Sequence, residues 1–150
     1  MVYIAVSCPG AGPDAGEEVL HVSRRVGEML ASEGAIVICG GLGGAMEALA
    51  AGVSEGGGVC VGLLPGSTRE DAAPDLALAI ATGIGEARNA LLANAADAMI
   101  AIGRSTGTLS EIALALRAGR PVVTLHSWQV EGAREADNPA DAVRLALAAV

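Results

Sequence analysis

Arg88, a permanent cation, and Glu111, a carboxylate, are two residues of the chain whose placement could serve a small anionic ligand. Between them runs Gly103-Arg104-Ser105-Thr106-Gly107-Thr108, preceded by the apolar stretch Ala98 to Ile102. That stretch suits a buried parallel strand, and the glycines mark a loop directly after it. Thr108 and Glu111 have the S/T-x-x-E spacing of a capping box, and Ile112, Leu114, Ala115 and Leu116 carry an apolar helix on to Gly119. A strand, a glycine loop and a helix start, in that order, bring backbone N–H groups and the positive end of a helix dipole to the carboxyl edge of a sheet. This arrangement binds anions.

Each member of the constellation also has a purely structural reading. A capping-box Glu111 is accounted for without any ligand. Arg88 falls in the first turn of a helix spanning about Glu86 to Ala95, where a cation opposes the dipole. Its placement therefore calls either for a carboxylate partner, Glu86 or another, or for an anion-binding or catalytic role.

The rest of the chain reads as the scaffold for that site. Val2 to Val6, Ala35 to Cys39, Val59 to Leu64, Leu76 to Ala81, Ala98 to Ile102 and Pro121 to Leu125 are strand-like runs. Helical spacing separates most of them: Val19, Val22, Val26, Met29 and Leu30 in one segment, Met46, Leu49 and Ala50 in the next. Asn138-Pro139 signals the N-cap and first residue of a last helix. Alternating strands and helices in 150 residues predict one α/β domain with a doubly wound, mostly parallel sheet in the order 3-2-1-4-5-6. Glycines gather after strands one, two, four and five, at Gly10 and Gly12, at Gly40, Gly41, Gly43 and Gly44, at Gly83 and Gly85, and at Gly103 and Gly107. In a parallel sheet these loops share the ligand-binding edge. His126, Trp128 and Gln129 follow the sixth strand on that edge and are placed to line a pocket or form a lid.

Composition narrows the chemistry. All nine basic residues are Arg, which removes a phosphate-binding lysine of the Walker type and any internal aldimine, so a pyridoxal-dependent decarboxylase is excluded. A net charge of −8 and 1% aromatic residues argue against nucleic acid or an anionic membrane as partner. Gly40 to Gly44 does not fit G-x-G-x-x-G, because position 46 is Met, and no acidic residue closes the following strand for a ribose. Those glycines allow either a close ligand approach or a tight strand-to-helix turn. Cys8, Cys39 and Cys60 read as buried free thiols in a reducing compartment, and two histidines offer no metal-ligand spacing. No signal peptide or membrane span is apparent, which predicts a cytoplasmic protein.

Taken together, TGIGEARNALLANAADAMIAIG, GTLSEIALALRAGRPVV, the upstream GGLGGAMEALAAG and VGLLPG closely resemble the small LOG-like Rossmann proteins. That group includes the cytokinin riboside monophosphate phosphoribohydrolases, often mislabelled lysine decarboxylases, and the molybdenum cofactor carriers. In the phosphoribohydrolases an Arg of an E-R-K segment and the Glu of P-G-G-x-G-T-x-x-E form the catalytic pair. The resemblance places the Arg on Arg88, flanked here by Ala87 and Asn89, and the Glu on Glu111. Gly107 and Thr108 match the G-T pair, Gly103 replaces the Pro, and Arg104 and Ser105 replace the two glycines. Arg104 then either supplies a charged phosphate contact or obstructs the pocket.

The resemblance implies two functions. One is a carrier that binds a nucleotide monophosphate or the molybdenum cofactor without requiring a cofactor of its own. The other is a hydrolase of the N-glycosidic bond of a nucleoside 5′-monophosphate. In both, the loop residues Gly103, Arg104, Ser105, Thr106, Gly107 and Thr108 receive the phosphate, with Gly40, Gly41, Gly43, Gly44 and Gly85 around the ligand. A ligand sensor or structural homo-oligomer with a vestigial pocket is the third reading. A homodimer or homotetramer is expected, since the resembling families assemble this way and an aliphatic helix surface leaves apolar area to cover.

Overall fold

A computed structural model describes all 150 residues. The strands are β1 (Tyr3–Ser7), β2 (Ile36–Cys39), β3 (Val59–Leu64), β4 (Leu78–Ala81), β5 (Ala98–Ile102), β6 (Val122–Leu125) and β7 (Arg134–Glu135). Five helices connect or follow them: α1 (Glu17–Ser32), α2 (Ala45–Glu55), α3 (Arg88–Ala95), α4 (Thr106–Arg117) and α5 (Pro139–Ala148). All the strand pairs are parallel, in one sheet ordered β4-β3-β2-β1-β5-β6-β7. The doubly wound α/β architecture predicted from the alternating pattern is present.

Side chains alternate across the sheet into two cores, as the pleat requires. Ala98, Ile100 and Ile102 of β5 join Ile4, Val6, Val37 and Leu125 in the larger core, against Val22, Val26 and Leu30 of α1, Leu49 and Val53 of α2, and Val143 of α5. Met99 and Ala101 point the other way and meet Ala5 and Val122 beneath Ala93 of α3 and Ile112 and Ala115 of α4. Every residue of β5 is buried, which explains its uninterrupted apolar sequence.

The strand order corrects the sequence reading at one place. Strand four was expected beside strand one, but β4 lies outside β3 at the edge of the sheet, and β5 takes the place beside β1. The cause is the link from Pro65 to Ala77, which contains no helix. It runs back along β3, with the Ala73 N–H donating to the Gly41 carbonyl and the Ala77 N–H to the Cys60 carbonyl. Such a link, held against β2 and β3, delivers the chain to the adjacent position and not across β2 and β1. Leu78 and Ile80 are accordingly exposed on the edge strand. β7, two charged residues long, had no apolar pattern to announce it.

Candidate functional site

The carboxyl ends of β1, β2, β3 and β5 converge on an open cleft of about 220 Å³. Its walls come from the loops that follow each strand: Cys8 and Gly10 after β1, Leu42 and Met46 after β2, Pro65 after β3, and Ser105, Gly107, Thr108 and Glu111 from the start of α4. Glu86, Arg88 and Asn89 close it from the start of α3. The cleft sits where the chain reverses its direction of strand addition, between β1 and β5, the position that open parallel sheets use for ligands.

Arg88 and Glu111, 23 positions apart, meet in this cleft. Arg88 Nη1 donates to Glu111 Oε1 at 3.5 Å, and both side chains are about nine-tenths buried. Arg88 Nη1 also donates to Asn89 Oδ1, while Asn89 Nδ2 donates to Ser110 Oγ at 3.3 Å. Arg88 Nε is buried with no acceptor. Burial pushes the Glu111 carboxyl above its usual range, against the opposing pull of Ser7 and Arg88. The Ser7 hydroxyl lies near that carboxyl yet, like Arg88 Nε, has no hydrogen-bond partner. Burial also raises the Cys8 thiol, which stays protonated and behaves as a small apolar wall. Cys39 and Cys60 touch beneath the site, sulfur to sulfur at 3.8 Å, and all three cysteines are free.

The start of α4 departs from the capping box. Ser105, not Thr108, is the N-cap: its Oγ accepts from the Thr108 N–H at 3.1 Å and lies 3.0 Å from Thr108 Oγ1. Glu111 lies a full turn inside the helix, and its carboxylate is committed to Arg88 rather than to the cap. The helix thus starts three residues earlier than the Thr108 spacing predicts. With Thr108 bonded to Ser105, the N–H groups of Thr106 and Gly107 remain without intrahelical acceptors at the cleft end of the helix.

The loop after β6 braces this turn. Trp128 Nε1 donates to the Ser105 carbonyl at 2.9 Å, Ser127 Oγ to the Gly103 carbonyl at 2.5 Å, and Arg104 Nε to the Ser127 carbonyl at 3.2 Å. Arg104 is thereby turned toward the β6 loop and is not among the residues that line the cleft. His126 and Gln129 do not line it either.

The predicted glycines divide by role. Gly107 lines the cleft, with Ser105 and Thr108; Gly40, Gly41, Gly43, Gly44, Gly85 and Gly103, and Thr106, are not among the residues that line it. Gly40 forms the floor under Arg88: a Cβ there would stand 2.8 Å from Arg88 Nη2 and 2.7 Å from Met46 Sδ. Gly44 (φ 64°) turns β2 into α2, and its Cβ would strike the backbone of Gly10 at 2.4 Å. Cys8, Gly10, Leu42, Met46, Pro65, Glu86 and Asn89 were not singled out as site residues from sequence. Asn89 was discernible as the neighbour of Arg88 in the resembling motif, while the others carry no chemical signal outside the fold.

Known proteins share this architecture along its whole length. An uncharacterised protein of Archaeoglobus fulgidus is 40% identical over 149 residues, covering 98% of this chain and 97% of its own. The molybdenum cofactor binding protein of Rippkaea orientalis superposes with a TM-score of 0.89 at 30% identity, over 98% of this chain and 96% of that one. The molybdenum cofactor carrier protein of Chlamydomonas reinhardtii does so with a TM-score of 0.90, also at 30% identity, over 99% and 97%. The LOG-like relationship read from the second-half motifs thus holds for fold and sequence together, and with a family model matched from residue 2 to residue 148 the chain belongs to the SLOG cluster4 family.

Proposed function

We propose that the protein binds and carries a phosphorylated heterocyclic ligand of nucleotide monophosphate or pterin type, the molybdenum cofactor among them as cargo. The observation that carries the reading is the convergence, in one cleft, of Gly107, whose amide is unpaired at the start of α4, with the buried Arg88. The phosphate takes the amides of Thr106 and Gly107, where the helix dipole favours negative charge. Arg88 supplies the permanent charge, and Leu42, Met46 and Pro65 offer the apolar wall that a flat ring requires. The cofactor-binding and carrier roles named for the two similar structures agree with this reading.

One observation favours a second reading, hydrolysis of an N-glycosidic bond. Arg88 and Glu111 lie together in the cleft wall, within reach of a ribose whose phosphate rested on α4. There the carboxylate would stabilise an oxocarbenium-like transition state and the guanidinium would offset charge on the leaving base. Such a protein would act as a homo-oligomer in either role, with the exposed Leu91 of α3 and Leu109 of α4 in the contact.

Mass spectrometry of small molecules that copurify with the protein tests the carrier reading directly, together with thermal shifts by AMP and GMP. Bound ligand should raise stability by about 2.7 kcal/mol at a hundredfold excess over Kd. Binding without release of free base supports the carrier; steady base release, abolished in Glu111→Gln, makes the protein a hydrolase. No copurifying phosphorylated ligand and no shift with either nucleotide or with inorganic phosphate refutes both.

A further inference from the structure

Three charged side chains line the cleft, and two of them are paired. Arg88 and Glu111 hold each other; Glu86, in the single 3-10 turn Gly85–Ala87 before α3, is exposed and makes no ion pair or side-chain hydrogen bond with any other residue. The sequence had offered Glu86 as the partner of Arg88, but the guanidinium turns away from it toward Glu111. A carboxylate left free in the wall of a ligand cleft is available to the ligand.

The topology fixes where along the cleft it stands. The Gly85 N–H donates to the Pro65 carbonyl at 2.9 Å, which pins the Glu86 turn to the end of β3. The amides of α4 follow β5, and β3 and β5 are separated by β2 and β1. Three strand spacings put the two ends about 14 Å apart. An extended nucleoside monophosphate, or a pterin with a phosphate on its side chain, spans such a cleft. With its phosphate at α4 and its middle beside Arg88 and Glu111, its ring lies against Leu42, Met46 and Pro65 and turns its polar edge to Glu86.

Resting on the carrier reading of this cleft, we infer that Glu86 is its specificity-determining residue and selects ligands with a 2-amino-4-oxopyrimidine ring edge, the edge shared by guanine and pterins. A carboxylate has two acceptor oxygens and no donor. It is matched by two adjacent N–H groups, the ring N–H and the exocyclic amine of that edge, which form a charge-assisted bidentate pair. Adenine presents one exocyclic amine flanked by a bare ring nitrogen, whose lone pair would face the carboxylate. Inosine keeps the ring N–H and lacks the amine. The expected order is therefore guanine above hypoxanthine above adenine, with pterin grouped with guanine.

Isothermal titration of the full-length protein with GMP, IMP, AMP and 6-hydroxymethylpterin monophosphate tests this, in the parent and in Glu86→Gln. GMP should bind about tenfold to a hundredfold more tightly than AMP, the range set by one or two hydrogen bonds to a charged group. In Glu86→Gln the GMP-to-AMP ratio should fall to about one, because a Gln amide offers one acceptor and one donor. Comparison of GMP with the pterin ester identifies which of the two sources of this ring edge fits better, and both should lose their advantage in the variant. Equal binding of GMP and AMP by the parent, or a preference retained in Glu86→Gln, overturns the role of Glu86 and leaves the anion site standing. Absence of binding by all four compounds and by inorganic phosphate removes the carrier reading, and this inference with it.

Discussion

Gly40→Ala is the sharpest perturbation of the site, because it adds a single methyl group under a buried arginine. Gly40 has no positive φ, so an Ala backbone is unstrained there and the effect is steric alone. The new Cβ would stand 2.8 Å from Arg88 Nη2, 3.1 Å from Arg88 Cζ and 2.7 Å from Met46 Sδ. Met46 can swing its thioether aside at small cost. Arg88 has less freedom, since its Nη1 is held by both Asn89 and Glu111. Opening 2.8 Å to the ordinary contact limit of 3.4 Å requires a retreat of roughly 0.6 Å. The Arg88–Glu111 contact, already 3.5 Å long, is disturbed by a displacement of that size. Overpacking of this kind costs about 1–3 kcal/mol.

Gly43→Ala is the control, in the same loop, also without positive φ, and with its nearest neighbour, Ala11 Cβ, at 3.7 Å. It should stay within about 0.5 kcal/mol of the parent. Urea denaturation followed by fluorescence of Trp128, the single tryptophan, measures both variants on one scale. Titration with GMP should show Gly40→Ala weakened by about tenfold or more, since hydrogen bonds to a charged group are worth about 1.5–3 kcal/mol. If Gly40→Ala matches Gly43→Ala in both stability and binding, the seat of Arg88 is not what this glycine provides, and the reasoning fails.

Glu111 gives a pH prediction whose sign follows from burial. Its folded-state pKa is raised above the reference value of 4.5, so the stability this group contributes is complete below about pH 4.5 and is lost as pH rises through the raised folded value. Glu111→Gln has no such titration, and thermal melts should show the parent losing ground to the variant as pH climbs from about 4, by at most ~1.36 kcal/mol per unit of pKa separation; a difference constant from about pH 4 to pH 8 would refute the burial argument. Light scattering at micromolar concentration should return a dimer or tetramer, and replacing Leu91 and Leu109 together by Glu should shift it toward monomer through desolvation of charge in the contact. A monomeric parent ends that proposal.

Local chemistry was written plainly in the chain. The apolar run of β5, the helical spacing of α1, the Asn138 cap of α5, whose Oδ1 accepts from the Asp141 N–H at 2.8 Å, and the glycine loop before α4 are all legible because neighbouring residues alone determine them. The second-half motif also carried Arg88 and Glu111 as a pair. What the sequence left undetermined depends on contacts between distant segments. The place of β4 followed from a helix-free link pinned to Gly41 and Cys60, and no periodicity records such bonds. Glu111 has the spacing of a capping residue, yet Ser105 takes the cap and the buried Arg88 claims the carboxylate, because an unpaired charge in that position costs more than a helix-end hydrogen bond supplies. Arg104, which sequence placed in the phosphate loop, is drawn to the Ser127 carbonyl, 23 residues further along in the loop after β6. Glu86 and Asn89 acquired their places in the cleft in the same way, since residue type sets what a side chain can bond and only the packed sheet decides what stands within its reach.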